Sequence, residues 1–289
     1  MSIISYGFSY GAAPLLQMKL DLDQSRPNEK VFLDHLQAGI SFEPDVANAF
    51  VTLLHVGDVA VDIGANCGFF SVLAAMLVGP TGHVVSFEPD PENVARLRAN
   101  LALNDCTNVT VIEKAVTNRV GDVEFFINGD NSGGNALWDP AEFPGNEKCL
   151  ATPLRLTVPG TTLDAAWEQL RLPAPKLIKI DTEGADQRVL EGARDLLSRQ
   201  KPRFVIAELH EFALAKMGGS QEGLRGFMLG LGYSTFGLTY VGAPSLVPTA
   251  TRIQPTVVSN LLFSKPEWVD EYWPTGAFDP RVLCCRSLD

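Results

Sequence analysis

The segment Asp58-Val59-Ala60-Val61-Asp62-Ile63 runs into a glycine-bounded turn, Gly64-Ala65-Asn66-Cys67-Gly68, and then into residues 69–78, which are apolar but for Ser71. A strand-length apolar run, a turn and a helix-length apolar run leave few folds open. The strand is buried on both faces, so helices must cover both sides of its sheet. The same rhythm recurs downstream. Strand-like runs at 83–87, 108–116, 176–180, 203–209, 233–238 and 260–264 are interleaved with helical periods, among them 187–198 and 224–231. We read an α/β fold, doubly wound, with a mostly parallel seven-stranded sheet. A chain of 289 residues with 46% hydrophobic and 20% charged side chains can fill such a core, which excludes disorder as a whole.

Local chemistry marks the element ends. Gly79-Pro80 stops the first helix, and Asp90 followed by Pro91 opens the next, with Val94, Leu97 and Leu101 on one face. The runs 108–116 and 122–127, joined through Gly121, read as a hairpin or as an extension beside the third strand. Leu154, Leu156 and Val158 alternate as a half-buried strand requires, and Thr161 with Asp164 has the spacing of a capping box for a helix over 163–170. Stretches 128–150 and 239–259 lack any period. Residues 1–43 show no βα rhythm and read as an N-terminal extension packed on a domain of residues 44–289, whose first helix opens at Glu43-Pro44.

A formal charge of −11 argues against a nucleic-acid partner, because phosphate binding needs clustered Lys and Arg. No Asn-Pro-Pro-aromatic motif of a base methylase is present. No signal-like or membrane-length apolar stretch appears, so the expectation is an unexported cytoplasmic protein without a membrane partner. Cys67, Cys106, Cys149, Cys284 and Cys285 form no Cys-x-x-Cys pair, and the vicinal pair falls in a tail expected to fray.

Chemistry concentrates at the strand ends. Gly64 and Gly68 let backbone approach a ligand, and Asp62 places a carboxylate beside them. A dinucleotide turn would carry G-x-G-x-x-G, whereas Asn66 stands where a pyrophosphate must approach. A carboxylate there suits a cationic cofactor with an amino-acid tail. Glu88-Pro89 ends the neighbouring strand, and one carboxylate accepts both hydroxyls of a ribose. Together these residues point to an adenosine-containing cofactor.

At these residues the chain resembles the class I S-adenosylmethionine-dependent methyltransferases, and within them the FkbM type. The resemblance runs from about Phe42 to Ser264. It is carried by Asp62-x-Gly64-Ala65-Asn66-x-Gly68, Phe87-Glu88-Pro89, Lys179-Ile180-Asp181-x-Glu183-Gly184 and Glu208-x-His210. It implies that Gly64, Ala65, Asn66 and Gly68 line the cofactor turn, that Asp62 faces the amino-acid part and that Glu88, beside Pro89, holds the ribose. It further implies methyl transfer from S-adenosyl-L-methionine to a hydroxyl of a small molecule, natural product or saccharide, and the strand order 3-2-1-4-5-7-6.

In that order the fourth strand adjoins the first, which brings Asp181 near the transferred methyl. Glu208 and His210 share one side of the fifth strand. Asp181 or His210 is the expected general base; alternatively Asp181, Glu208 and His210 hold a divalent cation. Lys179 projects with Asp181 and is expected to pair with it. Glu183 is open between the site and a cap for the helix after Gly184. Residues Asn131-Ser132-Gly133-Gly134-Asn135 are expected to contact the acceptor or form a lid, with Trp138 as a stacking wall. His35, His55 and His83 read as structural. Two rivals remain, a nicotinamide-dependent oxidoreductase and a cofactor-binding scaffold without catalysis.

Overall fold

The computed structural model describes residues 2–9, 16–239, 242–254, 258–273 and 284–287. Strands β1 (Ser2–Ser9) and β2 (Leu16–Leu22) lead into helices α1 (Pro27–Gln37) and α2 (Pro44–Leu53). The alternating region follows with β3 (Val59–Ile63), α3 (Phe69–Val78), β4 (His83–Phe87), α4 (Pro91–Leu103) and β5 (Val109–Ile112). A side sheet uses β6 (Ala115–Val116), β7 (Gly121–Ile127) and, past α5 (Glu147–Ala151), β8 (Leu154–Thr161). Then come α6 (Leu163–Leu170), β9 (Leu177–Ile180), α7 (Asp186–Glu191), β10 (Phe204–Leu209), α8 (Glu211–Lys216) and α9 (Gln221–Gly230). The chain closes with β11 (Ser234–Gly237), β12 (Ser245–Leu246), β13 (Ser259–Ser264), α10 (Pro266–Tyr272) and β14 (Cys284–Ser287).

The main sheet runs β12-β11-β13-β10-β9-β3-β4-β5. From β5 through β10 neighbours pair in parallel, and β13 is antiparallel to both β10 and β11. The seven strands stand in the anticipated order, and the two-residue β12 adds an eighth at the edge. All five residues of β3 are buried. One face packs Leu73, Leu97 and Phe50 of the helices with Leu20, and the other packs Val61, Ile63, Leu163 and Leu190. Each such side chain contributes roughly 1.5–3 kcal/mol on burial. Both faces being covered explains why the strands read as unbroken apolar runs.

Four expectations differ in detail. Residues 122–127 pair antiparallel with β8, not beside the third strand, and β6 pairs in parallel with the other edge of β8. The cap of α6 is Thr162, whose hydroxyl accepts from Ala165 N at 3.1 Å. Asp164 instead accepts from the amides of Asp195 and Leu196 at 3.0 and 2.8 Å, tying down the following turn. The tail segment Cys284–Ser287 pairs antiparallel to β1.

The N-terminal segment is stitched to α4. Met18, Leu20 and Leu22 are fully buried in the helix-side core. Asn104 bonds both backbone groups of Lys19, Asn100 accepts from Asp21 N at 2.7 Å, and Arg96 pairs with Glu29. No helix among the described residues is long and apolar enough to cross a membrane.

Candidate active site

Two adjoining crevices open at the carboxyl ends of β3, β4, β9 and β10, where a doubly wound sheet places its ligands. The first, of about 530 Å³, is walled by Ile63, Val116, Phe125 and Leu137 and floored by Gly64, Asn66, Glu88 and Pro89. Gly64 has φ +82°, and a Cβ there would stand 1.8 Å from the Asp181 carbonyl oxygen. Only glycine permits β3 and β9 to end so close together. Phe87 O accepts from the amides of both Gly64 and Ala65 at 3.0 Å, which fixes the turn to β4.

Glu88 is 4% exposed and accepts from Asn66 N at 2.8 Å and Asp90 N at 2.9 Å. Burial pushes its carboxyl up to about 7, although these amides favour the ionised form. With a further side-chain hydrogen bond from Asn93, one lone pair remains for an incoming hydroxyl. Asn93, which the sequence did not single out, lines the same crevice and is held by Arg26 at 3.0 Å. Asp62 lines neither crevice. Its Oδ2 accepts from Ser71 Oγ at 2.6 Å, Ser71 bonds Ser86 at 2.8 Å, and burial raises the carboxyl above its ordinary value.

The second crevice, of about 580 Å³, shares Gly64, Asn66, Gly133, Asp181 and Glu183 with the first. Aromatic side chains Phe32, Phe42, Phe69 and Phe70 form one wall. The other wall is acidic: Glu43, Asp181, Glu183 and Glu208 face a single ammonium, Lys179. Lys179 is 2% exposed and donates to Asp181 Oδ2 at 2.8 Å, the anticipated pair, with its Nζ 4.6 Å from the Phe70 ring centroid. Burial alone would lower its pKa, but Asp181, Glu43 and Asp62 hold it above the usual lysine range.

The remaining acids are not satisfied in this way. Burial pushes the Glu43 carboxyl up to about 8 against the pull of Lys179, and its Oε2 is buried without a hydrogen-bond partner among the described residues. Glu208 is raised well above the carboxylate range by burial and by Glu183 and Asp181, and its Oε2 is likewise unpartnered. Glu183 is raised by burial too, and lies 3.5 Å from His210 Nδ1. Glu43 read in the sequence only as a helix opening. Its left-handed φ of +37° turns the chain into α2 beside the crevice.

Asp181 and Glu208 line the second crevice, whereas His210 stands behind Glu183 and lines neither. The cluster with metal-ligand spacing is Glu183, Glu208 and His210, with one donor atom of each within 4.8 Å of the others. Asp181, named in that set from the sequence, is taken by Lys179 instead. Trp138 is no stacking wall: it is 8% exposed and donates from Nε1 to Glu183 O at 2.7 Å, holding Glu183 at φ +50°. Gly133, Asn131 and Asn135 do reach the crevices, and Asn135 anchors the loop on Asp90 Oδ2 at 2.9 Å.

The Methyltransferase FkbM domain family matches residues 62–235, more than half of the chain. Hexuronic acid methyltransferase AglP of Haloferax volcanii is 28% identical over 170 residues, 58% of this chain and 62% of AglP. The chain therefore spans less than two thirds of that relative. The 2-O-methyltransferase NoeI of Sinorhizobium fredii is 29% identical over 172 residues, 56% of this chain and 68% of NoeI. A crystal structure of methyltransferase FkbM from Methylobacillus flagellatus superposes with TM-score 0.44 at 16% identity, covering 82% of this chain and 58% of that one. The chain belongs to the FkbM methyltransferase family.

Proposed function

We propose that the chain binds S-adenosyl-L-methionine in the first crevice and directs methyl transfer to a hydroxyl of a saccharide or similar small molecule in the second. The observation that carries this reading is Asp181, which lines both crevices at their junction. The first crevice suits adenosine: Ile63, Val116, Phe125 and Leu137 offer apolar walls, and Glu88 retains acceptor capacity for a ribose hydroxyl. The backbone from Gly64 to Gly68 faces the amino-acid part. Asp62 acts at one remove, through Ser71, by fixing where α3 starts.

S-adenosyl-L-methionine held there would supply an activated methyl group, the acceptor oxygen gaining its O–C bond as the C–S bond breaks and a neutral thioether leaves. Asp181 receives the hydroxyl proton, and Lys179 orients it through the 2.8 Å ion pair. Phe32, Phe42 and Phe70 line the second crevice with apolar surface against which the carbon skeleton of an acceptor packs. Asn28, Phe32 and Phe42 precede the family-matched region, so we assign acceptor selection to the N-terminal segment and transfer to residues 44–289. The acidic wall disfavours a phosphodiester, hence nucleic acid. The printed names of AglP and NoeI support a hydroxyl on a saccharide-like acceptor. The free thiols of Cys67, Cys106 and Cys149 favour a reducing compartment such as the cytoplasm.

Calorimetry with S-adenosylhomocysteine, run beside NADH, tests the cofactor half: binding of NADH alone overturns it in favour of an oxidoreductase. Asp181→Asn tests the catalytic half. Turnover should fall about 10²–10⁴-fold, with S-adenosylhomocysteine affinity within about threefold. Undiminished turnover removes the base, and a chain that binds cofactor but methylates no hydroxyl compound is the scaffold.

A further inference from the structure

Around the second crevice, four carboxylates face one ammonium, and that ammonium is committed to Asp181. Concentrating anions in a partly buried wall costs several kcal/mol unless they protonate or acquire a cation. The strongest sign of which it is lies behind the wall. Glu208 is 8% exposed, with Oε2 buried and without a hydrogen-bond partner among the described residues, and His210 Nδ1 stands 3.5 Å from Glu183 Oε2. Donor atoms of Glu183, Glu208 and His210 converge within 4.8 Å. Hard divalent cations take oxygen donors at about 2.0–2.6 Å, so the donors of one ion lie within about 5 Å of each other.

The backbone that carries this set is locked. Glu183 is held left-handed by Trp138 on its carbonyl, and at Gly184 a Cβ would stand 2.4 Å from the Ala213 carbonyl carbon. Asp186 ties the two limbs together, accepting from Gly184 N and Glu208 N, each at 3.2 Å. Such fixing from both sides is what a preorganised ligand set requires and a solvated acidic surface does not.

We infer that Glu183, Glu208 and His210 form a divalent-cation site for an ion of the Mn²⁺ or Mg²⁺ class, beside the acceptor crevice. Two carboxylates and one imidazole leave coordination positions open, and the acceptor hydroxyl is the natural occupant of one of them. An ion held there would lower the pKa of a hydroxyl next to Asp181, which takes the proton. That use rests on the methyl-transfer reading, but the binding itself does not.

The experiment is titration of the full-length chain, first stripped with EDTA, with MnCl₂, following the free-ion EPR signal, with Mg²⁺ as competitor. One Mn²⁺ should bind per chain. Glu208→Gln and Glu183→Gln should each weaken it by about tenfold or more, and Asp181→Asn by less than about threefold. S-adenosylhomocysteine calorimetry on the same samples reports folding and keeps the two readings separable. A wild type that binds S-adenosylhomocysteine but leaves the Mn²⁺ signal undiminished up to millimolar concentration overturns the cation site alone. Equal Mn²⁺ binding by wild type and Glu208→Gln overturns it as well, and loss of binding in Asp181→Asn with retention in Glu183→Gln overturns the ligand assignment. Mn²⁺ binding without S-adenosylhomocysteine binding leaves the cation site standing and sinks the cofactor reading.

Discussion

The two crevices meet at Asp181 but are built on opposite principles. Away from the shared Asp181 and Glu183, the first sets apolar walls around one carboxylate, Glu88, already supplied with two backbone amides. The second gathers acids with buried oxygens that no described residue serves, around a lysine whose ammonium is already given to Asp181. A wall of the first kind is finished before any ligand arrives and recognises shape. A wall of the second kind is completed by what binds, and it recognises charge and exchangeable protons. On the proposed reading, the contrast teaches where each half of the transfer would be controlled: retention of the donor by packing, activation of the acceptor by electrostatics.

The harshest way to break the contrast is at the junction itself. In Gly64→Ala the new methyl meets the Asp181 carbonyl, which is backbone and cannot swing away, and φ +82° adds strain. We expect a loss of about 3 kcal/mol or more in denaturant unfolding, and no detectable S-adenosylhomocysteine binding. Gly121→Ala is the control: φ is also positive, +126°, but a Cβ there would meet no atom of the described residues within 4 Å, so about 1 kcal/mol should be lost. Equal losses would mean that the close approach of β3 and β9 does not matter.

A smaller effect should separate the crevices cleanly. Glu88→Gln keeps the shape of the first but converts one acceptor oxygen to a donor facing a backbone amide, and should weaken S-adenosylhomocysteine about tenfold or more. Because the carboxyl lies near 7 and the ligand requires its ionised form, wild-type affinity should fall as pH drops below about 7, up to about tenfold per unit. Calorimetry across pH 5.5–8 reads both, and the variant should lose that dependence. Trp138→Phe should leave this affinity unchanged while lowering turnover, since it frees only the Glu183 carbonyl. A matched loss of cofactor affinity would show that the crevices are not independent.

What the sequence revealed follows the same division. The first crevice is a local object: Gly64, Asn66, Gly68 and Glu88 lie on two consecutive strand-to-turn junctions, so their spacing was legible in order along the chain. The second is assembled from Glu43, Lys179, Glu183, Glu208 and the N-terminal aromatics, which only the sheet order brings together. Alternation on one strand was enough to anticipate Lys179 with Asp181, because residues two apart share a face. It could not reveal Glu43, which needs a left-handed turn before Pro44, nor Trp138, whose indole is spent on a backbone carbonyl. Asp62 was legible only in part for a related reason: a strand end does not say which face its carboxylate takes, and here Oδ2 is bonded to Ser71 of α3 while Oδ1 is buried without a hydrogen-bond partner among the described residues.

The mildest expected effect probes the unfinished wall without substrate. Folded-state values of about 8 for Glu43 and about 7 for Glu88 and Asp186 lie above those of an unfolded chain, near 4. Groups raised in this way add stability that is fully present below the unfolded value and is lost as pH rises through the folded one. The ligand-free protein should therefore lose Tm steadily from about pH 5 to about pH 8. Glu88 and Asp186 are served by backbone amides, whereas Glu43 Oε2 is not, so the last part of that loss belongs to Glu43. Glu43→Gln removes a titrating group there, and by scanning calorimetry its Tm at pH 8 should exceed wild type by about 2 °C, with no difference at pH 5. A uniform offset at both values would assign the change to packing, and the acids of the second crevice would then be no costlier than those of the first.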